Sequence, residues 1–309
     1  EYARIEGDLL GRDIDLDLLV GFADNLDDAA ADALPTTRCG RYTLEPTHCR
    51  IRLNRQAFDL YDGKQDRSFI AHEVFHCFEF GANITGWTGA SKLVIEGMAE
   101  WAAITVVREE RRAAAQSFAP GYFSEPQTPL WQRTYDGAFL LGRVEEYRDR
   151  PLWDLLVPLM NADFDGIVAA THVDDDAFQD IWASSFLRDV HLGAAWQTSH
   201  PTTVPHDVAY TGIRYVLGDA PTDLDASAWT TRLVGAPADP EEWPIEHVSV
   251  ETGRVRVGDR SGLDRVLAPG EEMWLCIGGA RCGTCPDGTP SEVPEFSDVT
   301  NRVMIAASA

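Results

Sequence analysis

The sequence predicts an α+β protein: a mainly helical domain with a small edge sheet over residues 1–195, followed by a β-rich domain over 196–309. Helical periodicity dominates from Arg67 to about Val190, and it predicts helices over 91–110, 136–148, 151–161 and 175–190. Pro, Thr, Gly and Asp become frequent from His200, and short alternating segments predict strands over 246–250, 254–257, 273–277 and 302–306. This change in composition puts the domain boundary between 195 and 245.

The first sixty residues mix the two kinds of element. Residues 1–6 predict a short strand. Apolar residues recur at a spacing of three to four between Asp15 and Leu34, and Pro35 follows, which predicts a helix. The segment from Cys49 to Asn54 alternates polar and apolar residues and is typical of an exposed edge strand.

Composition and charge narrow the class of protein. The chain has 309 residues, of which 44% are hydrophobic and 25% charged, as in a folded globular protein. Its formal net charge is −24, which disfavours nucleic acid and anionic membranes as partners. The sequence contains no run of about 18 apolar residues, so it predicts no membrane-spanning helix. Glu1 begins within polar sequence, so we expect any export signal to have been removed or never present.

Six cysteines, an even number, suit disulfides in an oxidising compartment, so we expect a secreted or periplasmic bacterial protein. Cys39 and Cys49 bracket a short polar loop and are the expected pair. Cys276, Cys282 and Cys285 lie in a Gly-rich segment, where disulfides are favoured over half of a zinc knuckle. Cys77 is expected to be a small buried hydrophobe rather than a disulfide partner.

The segment from His72 to His76 reads His-Glu-Val-Phe-His. Residues four apart share one face of a helix, so both imidazoles can bind one ion. Glu73 would sit beside the metal, where it can take a proton from the metal-bound water. The alternative is a buried helix carrying two histidines with ordinary hydrogen-bond partners.

A second predicted helix supports the interpretation of these residues as a metal site. Catalytic zinc takes three protein ligands and keeps one position open, and Glu96, twenty residues after His76, fits the third. Glu100 lies one turn further along, placed to accept the free ring N–H of a zinc-binding histidine. Gly97 would allow the two helices to approach closely. Two like charges four residues apart repel, so a nearby cation explains this pair better than a solvated surface does.

His72-Glu73-x-x-His76 followed by Glu96-Gly-x-Ala-Glu100 resembles the gluzincin clan of zinc metallopeptidases, the thermolysin-like group, and within it the peptidase-MA-like families. The resemblance covers about residues 45–190, including Tyr135–Phe139 and the later aromatic segment around Trp182. Residues 200–309 resemble nothing in that clan. The fold implied for the first domain is zincin-like.

The resemblance implies one catalytic Zn²⁺ held by His72, His76 and Glu96. It further implies that Glu73 is the general base and that Glu100 supports a zinc-binding histidine without itself binding the metal. It also implies that the strand Cys49–Asn54 lines the cleft, where an extended peptide adds by main-chain hydrogen bonds. A donor must stabilise the oxyanion, and Tyr135 is the candidate; the alternative is a core tyrosine. His172, His191, His200 and His206 are weaker candidates, and the Gly- and Thr-rich segment 81–89 is expected to be a loop at the cleft.

The function expected from these residues is hydrolysis of peptide bonds in a protein or peptide substrate. Two alternatives stay open: a zinc hydrolase acting on a non-peptide amide, and a catalytically idle surface or binding protein of the same fold. The sequence does not decide the oligomeric state.

Overall fold

The computed structural model of the chain describes residues 1–23, 26, 29–55, 64–107, 128–148, 150–160, 164–171, 178, 181–182, 231–235, 245–250, 253–259, 264–277, 296–299 and 302–308. Helices and small sheets occur together, in agreement with the predicted α+β class. The chain divides into two compact units, of which the first includes Glu1–Pro120 and Arg133–Asp174 and the second includes Thr211–Ala309. The predicted domain boundary at 195 lies outside the described residues.

Both predictions for the first 34 residues are wrong. Helix α1 spans Tyr2–Leu10, where a strand was predicted, and Gly11 closes it in the left-handed conformation (φ 66°) that glycine adopts at low cost. Strands β1 (Asp17–Ala23) and β2 (Ala31–Thr36) replace the helix predicted from Asp15 to Leu34. The apolar spacing was compatible with a helix, but hydrogen bonding to a third strand, a long-range interaction, decides the outcome.

That third strand is β3 (His48–Asn54), which forms where the alternation predicted it but not at an edge. The sheet order is β1-β3-β2, with β1 parallel and β2 antiparallel to β3. Both edges of β3 are therefore occupied, and the prediction that a peptide adds to Cys49–Asn54 is wrong. The edge strand packed against the next helix is β2.

Helix α2 spans Lys64–Gly89, and every residue from 71 to 80 is buried. It is interrupted at Asn83, whose backbone is extended (φ −166°, ψ 85°) and whose Oδ1 accepts a hydrogen bond from the N–H of Gly86 at 2.9 Å. The segment 81–89 is thus helical around a kink and not the loop that the sequence predicted. An Asn side chain that caps a new turn explains the kink.

Helix α3 (Lys92–Val106) packs against α2 and against helix α4 (Gly137–Arg148). Its fully buried Trp101 donates a hydrogen bond from its indole N–H to the buried Glu145 at 3.1 Å. Its ring also packs against Trp153 at a tilt of 59°, with ring centroids 4.6 Å apart. A 3₁₀ turn at Trp153–Leu155 leads into α5 (Leu156–Met160), and α6 (Phe164–Ala170) follows. The helices predicted over 91–110 and 136–148 are confirmed, with shorter ends, while most of 175–190 lies outside the described residues.

The second unit includes seven described strands, and four of them lie at the segments predicted from alternation. Strands β4 (Thr231–Gly235), β10 (Arg302–Ser308), β6 (Arg254–Asp259) and β7 (Asp264–Leu267) form one sheet in that order. Strands β5 (Ile245–Ser249), β8 (Glu272–Ile277) and β9 (Phe296–Val299) form another.

A disulfide joins Cys49 on β3 to Cys77 on α2, whose Cα atoms lie 5.5 Å apart. Cys77 is fully buried as expected, but it is a disulfide partner, and the predicted Cys39–Cys49 pair is wrong because Cys39 is exposed and free. Burial of Cys49 on the inner face of β3 turns its thiol toward the helix and away from the loop that holds Cys39. Cys282 and Cys285 lie outside the described residues.

Candidate metal centre

His72 and His76 lie one turn apart on the buried part of α2, as the sequence predicted. Their Nε2 atoms face each other at 3.1 Å, and their rings meet edge to face with centroids 4.7 Å apart. Only 5% of His72 and 6% of His76 is exposed. Helical spacing alone therefore brings two nitrogen donors to one point.

Glu96 on α3 brings a carboxylate oxygen to the same point. Its Oε2 lies 3.2 Å from Nε2 of His72 and 3.5 Å from Nε2 of His76. The side chain is 24% exposed, so the cluster meets solvent on the side of Glu96. Among the described residues, His72, His76 and Glu96 form the group of potential ligands that could hold a metal ion.

The spacing of these three donor atoms suits zinc. Zinc binds histidine nitrogen and carboxylate oxygen at about 2.0–2.2 Å in a tetrahedron, which puts neighbouring ligand atoms about 3.3 Å apart. The three separations of 3.1, 3.2 and 3.5 Å bracket that value. Two imidazoles and one carboxylate are also a donor set found in catalytic zinc sites. The residues present therefore fit the ion that the sequence predicted.

The other nitrogen of each ring is held by a carboxylate. Nδ1 of His72 lies 3.3 Å from Oε2 of Glu100, as the sequence predicted, and Nδ1 of His76 lies 2.7 Å from Oε2 of Glu79. Glu79 is fully buried and was missed by the sequence analysis. Its position three residues after His76, on the same helical face, was the available signal. Both contacts direct Nε2 toward the shared point.

The electrostatics of the cluster favour protonated imidazoles and an ionised Glu96. Burial disfavours the charged form of His72, but the hydrogen bonds to Glu100 and Glu96 outweigh it and raise its pKa to about 9. Burial likewise opposes charge on His76, but Glu79, Glu96 and Glu73 together more than offset it, so the pKa of His76 lies well above its usual value. Burial would raise the pKa of Glu96, yet its hydrogen bonds to both histidines hold that pKa well below the usual range.

Glu73 follows His72 on α2 and is 8% exposed. Burial raises the pKa of its carboxyl, the two histidines act in the opposite direction, and the charges of Glu96 and Asp32 raise it further. A raised pKa suits a group that must accept a proton and then release it near neutral pH. Asp32 lies on β2 and forms an ion pair with Arg52.

Tyr135 lies just before α4, at the open side of the cluster. Its ring centroid is 5.5 Å from that of His72, and the residue is 40% exposed. Burial raises the pKa of its phenol to about 12, with further contributions from Glu96, Glu73 and Glu100. The phenol therefore stays a hydrogen-bond donor at neutral pH.

Gly97 does not perform the role predicted for it. It faces Gly137 at the start of α4, and a Cβ at position 97 would lie 3.4 Å from the Gly137 backbone. Gly97 therefore faces α4 and the turn before it, not α2, the other helix that carries predicted ligands. His172, His191, His200 and His206 lie outside the described residues.

Comparison with protein-family models, with curated proteins and with solved structures finds no match to this chain. Among the described residues, no helix combines the length and apolar character needed to cross a membrane.

Proposed function

We propose that this protein is a zinc-dependent peptidase with a gluzincin-type site. The observation that carries the proposal is the convergence of His72 Nε2, His76 Nε2 and Glu96 Oε2 from two helices at separations of 3.1–3.5 Å. Glu79 and Glu100 already serve as hydrogen-bond partners of the two histidines. A purely structural pair of histidines would not need a further carboxylate, that of Glu96, beside both Nε2 atoms. A single Zn²⁺ bound there would polarise an amide carbonyl and acidify water.

The chain's own residues have distinct tasks in this proposal. Glu73 accepts a proton from water and delivers it to the leaving amine, for which its raised pKa is suited. Tyr135 donates a hydrogen bond from its phenolic O–H to the oxyanion that develops on the substrate carbonyl. Glu79 and Glu100 keep the two imidazoles in the orientation in which Nε2 faces inward.

A peptide is the favoured substrate because an edge strand lies beside the cluster. β2 packs against α2, and its Asp32 is near enough for its charge to raise the pKa of Glu73. Within the described part of the chain, the outer edge of β2 is paired only near its end, where Thr36 bridges to Tyr42 and the N–H of Thr43 reaches the carbonyl of Pro35. The remaining edge can hydrogen-bond to an extended peptide.

We also propose that the protein functions outside the cytosol. A buried disulfide between Cys49 and Cys77 supports this location, because disulfides persist in oxidising compartments and are rare in the cytosol.

The test is a peptide-library digestion read by mass spectrometry, with zinc measured in the same samples. We expect the wild type to cleave a subset of peptides. Glu73→Gln should retain zinc and lose activity by at least about 100-fold, because the proton acceptor is gone while the ligands stay. His76→Ala should lose both. Full activity in a folded, zinc-loaded Glu73→Gln variant would remove Glu73 from the mechanism, and an inactive, zinc-loaded wild type would refute the peptidase.

A further inference from the structure

The turn that carries Tyr135 is stabilised by Asp136, the next residue in the chain. Both carboxylate oxygens of Asp136 are used: Oδ1 accepts the backbone N–H of Thr134 at 2.9 Å, and Oδ2 accepts Nη1–H of Arg133 at 2.6 Å. The N–H of Gly137 also donates to the carbonyl of Thr134 at 3.0 Å. The backbone is therefore fixed on both sides of Tyr135.

The ion pair to Arg133 anchors this turn in the interior. The side chain of Arg133 is fully buried (0% exposed), whereas that of Asp136 is 20% exposed. A charge-assisted hydrogen bond to a group that cannot move into water is stronger and better defined than one between two surface side chains. Asp136 thus connects an exposed turn to a rigid point in the core.

The same turn is seated on α3 beside Glu96. A Cβ on Gly137 would lie 3.2 Å from the carbonyl oxygen of Leu93 and 3.6 Å from Cα of Gly97. It would also lie 2.5 Å from Cδ1 of Leu93, so a side chain at position 137 would require both Leu93 and the backbone of α3 to shift. The turn that carries Tyr135 therefore rests on the residue that follows Glu96 in the chain, so the phenol and the carboxylate share one support.

We infer that Asp136 is a positioning residue that holds the Tyr135 phenol at the open side of the His72–Glu96 pair. This inference rests on the proposed function for its kinetic consequence but not for its structural one. Asp136 reaches the cluster only through Tyr135 and has no catalytic contact of its own.

The structural consequence is tested by ¹⁹F NMR on the full, zinc-treated chain labelled with 3-fluorotyrosine. The resonance absent from Tyr135→Phe belongs to Tyr135. We expect Asp136→Ala, and to a smaller extent Asp136→Asn, to move this resonance toward its position in the unfolded protein. The control is Asp154→Asn, which removes a comparable pair with Arg148 (3.0 Å) beyond the other end of α4 and should leave the resonance in place. An unmoved resonance in a folded Asp136→Ala or Asp136→Asn variant overturns the inference.

The kinetic consequence is tested with the peptide that the library shows to be cleaved best. We expect Tyr135→Phe to lower kcat by about 100-fold and Asp136→Asn by about tenfold, with KM changed less than about twofold in each. The double variant should be no slower than Tyr135→Phe, because Asp136 acts through the phenol. Multiplying effects would overturn the inference. If the wild type cleaves no peptide, the proposed function fails, and the NMR result still decides the role of Asp136.

Discussion

Helix α2 supplies two residues to the candidate metal centre and helix α3 supplies one, and the two helices hold them in different ways. α2 is buried on all sides over residues 71–80, is linked to β3 by the Cys49–Cys77 disulfide, and carries the carboxylate that orients its own His76. α3 supplies Glu96 from a partly exposed position and Glu100 to a histidine of the other helix. His76 is thus oriented by a contact within one helix, and His72 by packing between two.

This difference shows which contacts of the site depend on one helix alone and which depend on the packing of two. The Glu79–His76 contact spans three residues of one helix and requires only that α2 be folded. The Glu100–His72 contact and the approach of Glu96 require that α3 dock on α2. We therefore expect changes on the α2 side to act on stability and metal affinity together, and changes on the α3 side to act mainly on the metal.

The largest effect on stability is expected from the disulfide, which belongs to the α2 side only. Replacing Cys49 and Cys77 together by Ser opens a link across 28 residues and should lower the free energy of unfolding by about 3–4 kcal/mol. Urea denaturation followed by circular dichroism measures this. Cys39→Ser is the matched control, because that thiol is exposed and free, and it should change nothing. Equal stability of the double variant and the wild type would contradict the account.

The next effect compares the two orienting carboxylates directly. Glu79→Gln and Glu100→Gln should each weaken zinc affinity by about 10- to 100-fold, because a neutral amide no longer supports the basicity of the ligand. Glu79→Gln should lose more, since its contact is shorter (2.7 Å against 3.3 Å) and it is fully buried. Competition with a chromophoric chelator gives both constants. Glu145→Gln serves as the control, because Glu145 is a buried carboxylate that accepts a hydrogen bond from Trp101 and not from a histidine. A loss of zinc affinity in this variant equal to that in the other two would refute the orienting role of Glu79 and Glu100.

The smallest effect concerns Glu6 on α1, which packs against α2. Its carboxyl is fully buried, neither oxygen has a hydrogen-bond partner in the described part of the chain, and burial raises its pKa well above the usual 4.5 while the charge of His76 acts against this. Because the folded-state pKa is the higher one, Glu6 costs stability as pH rises above about 4.5. We expect the free energy of unfolding of Glu6→Gln, relative to that of the wild type, to increase by about 1 kcal/mol or more when the pH is raised from 5 to 8.

Urea titrations at both pH values measure that gain. Asp8→Asn is the control, because Asp8 lies on the same helix with its side chain 69% exposed, and its effect should stay within about 0.5 kcal/mol at either pH. A difference between Glu6→Gln and the wild type that does not change with pH would contradict the buried, neutral carboxyl.

The sequence predicted the candidate site much better than the sheet beside it. His72 and His76 follow from the geometry of one helix, and the spacing of Glu96 and Glu100 follows from a second, so local periodicity carried most of that information. Glu79 had the same kind of signal, three residues from His76, and was overlooked.

The N-terminal errors have another cause. The apolar residues between Asp15 and Leu34 satisfy helical spacing, yet strands β1 and β2 are stabilised by pairing with β3. The paired residues lie 31 positions apart for β1 and 12 to 22 positions apart for β2, and such pairing leaves no trace in a local pattern. The run Asp-Asn-Leu-Asp-Asp at 24–28 was the available turn signal. The Cys49–Cys77 pair depends on the same long-range packing, so the closer Cys39 was the wrong partner to choose.

Elemental analysis tests the central claim most directly. The chain is incubated with zinc, dialysed against metal-free buffer and measured beside Glu96→Ala prepared in the same way. If atoms from both helices bind one ion, the wild type retains about one zinc per chain and Glu96→Ala retains less than about a tenth of that. A wild type that returns from dialysis without zinc, or a Glu96→Ala variant that still holds a full equivalent, contradicts the account.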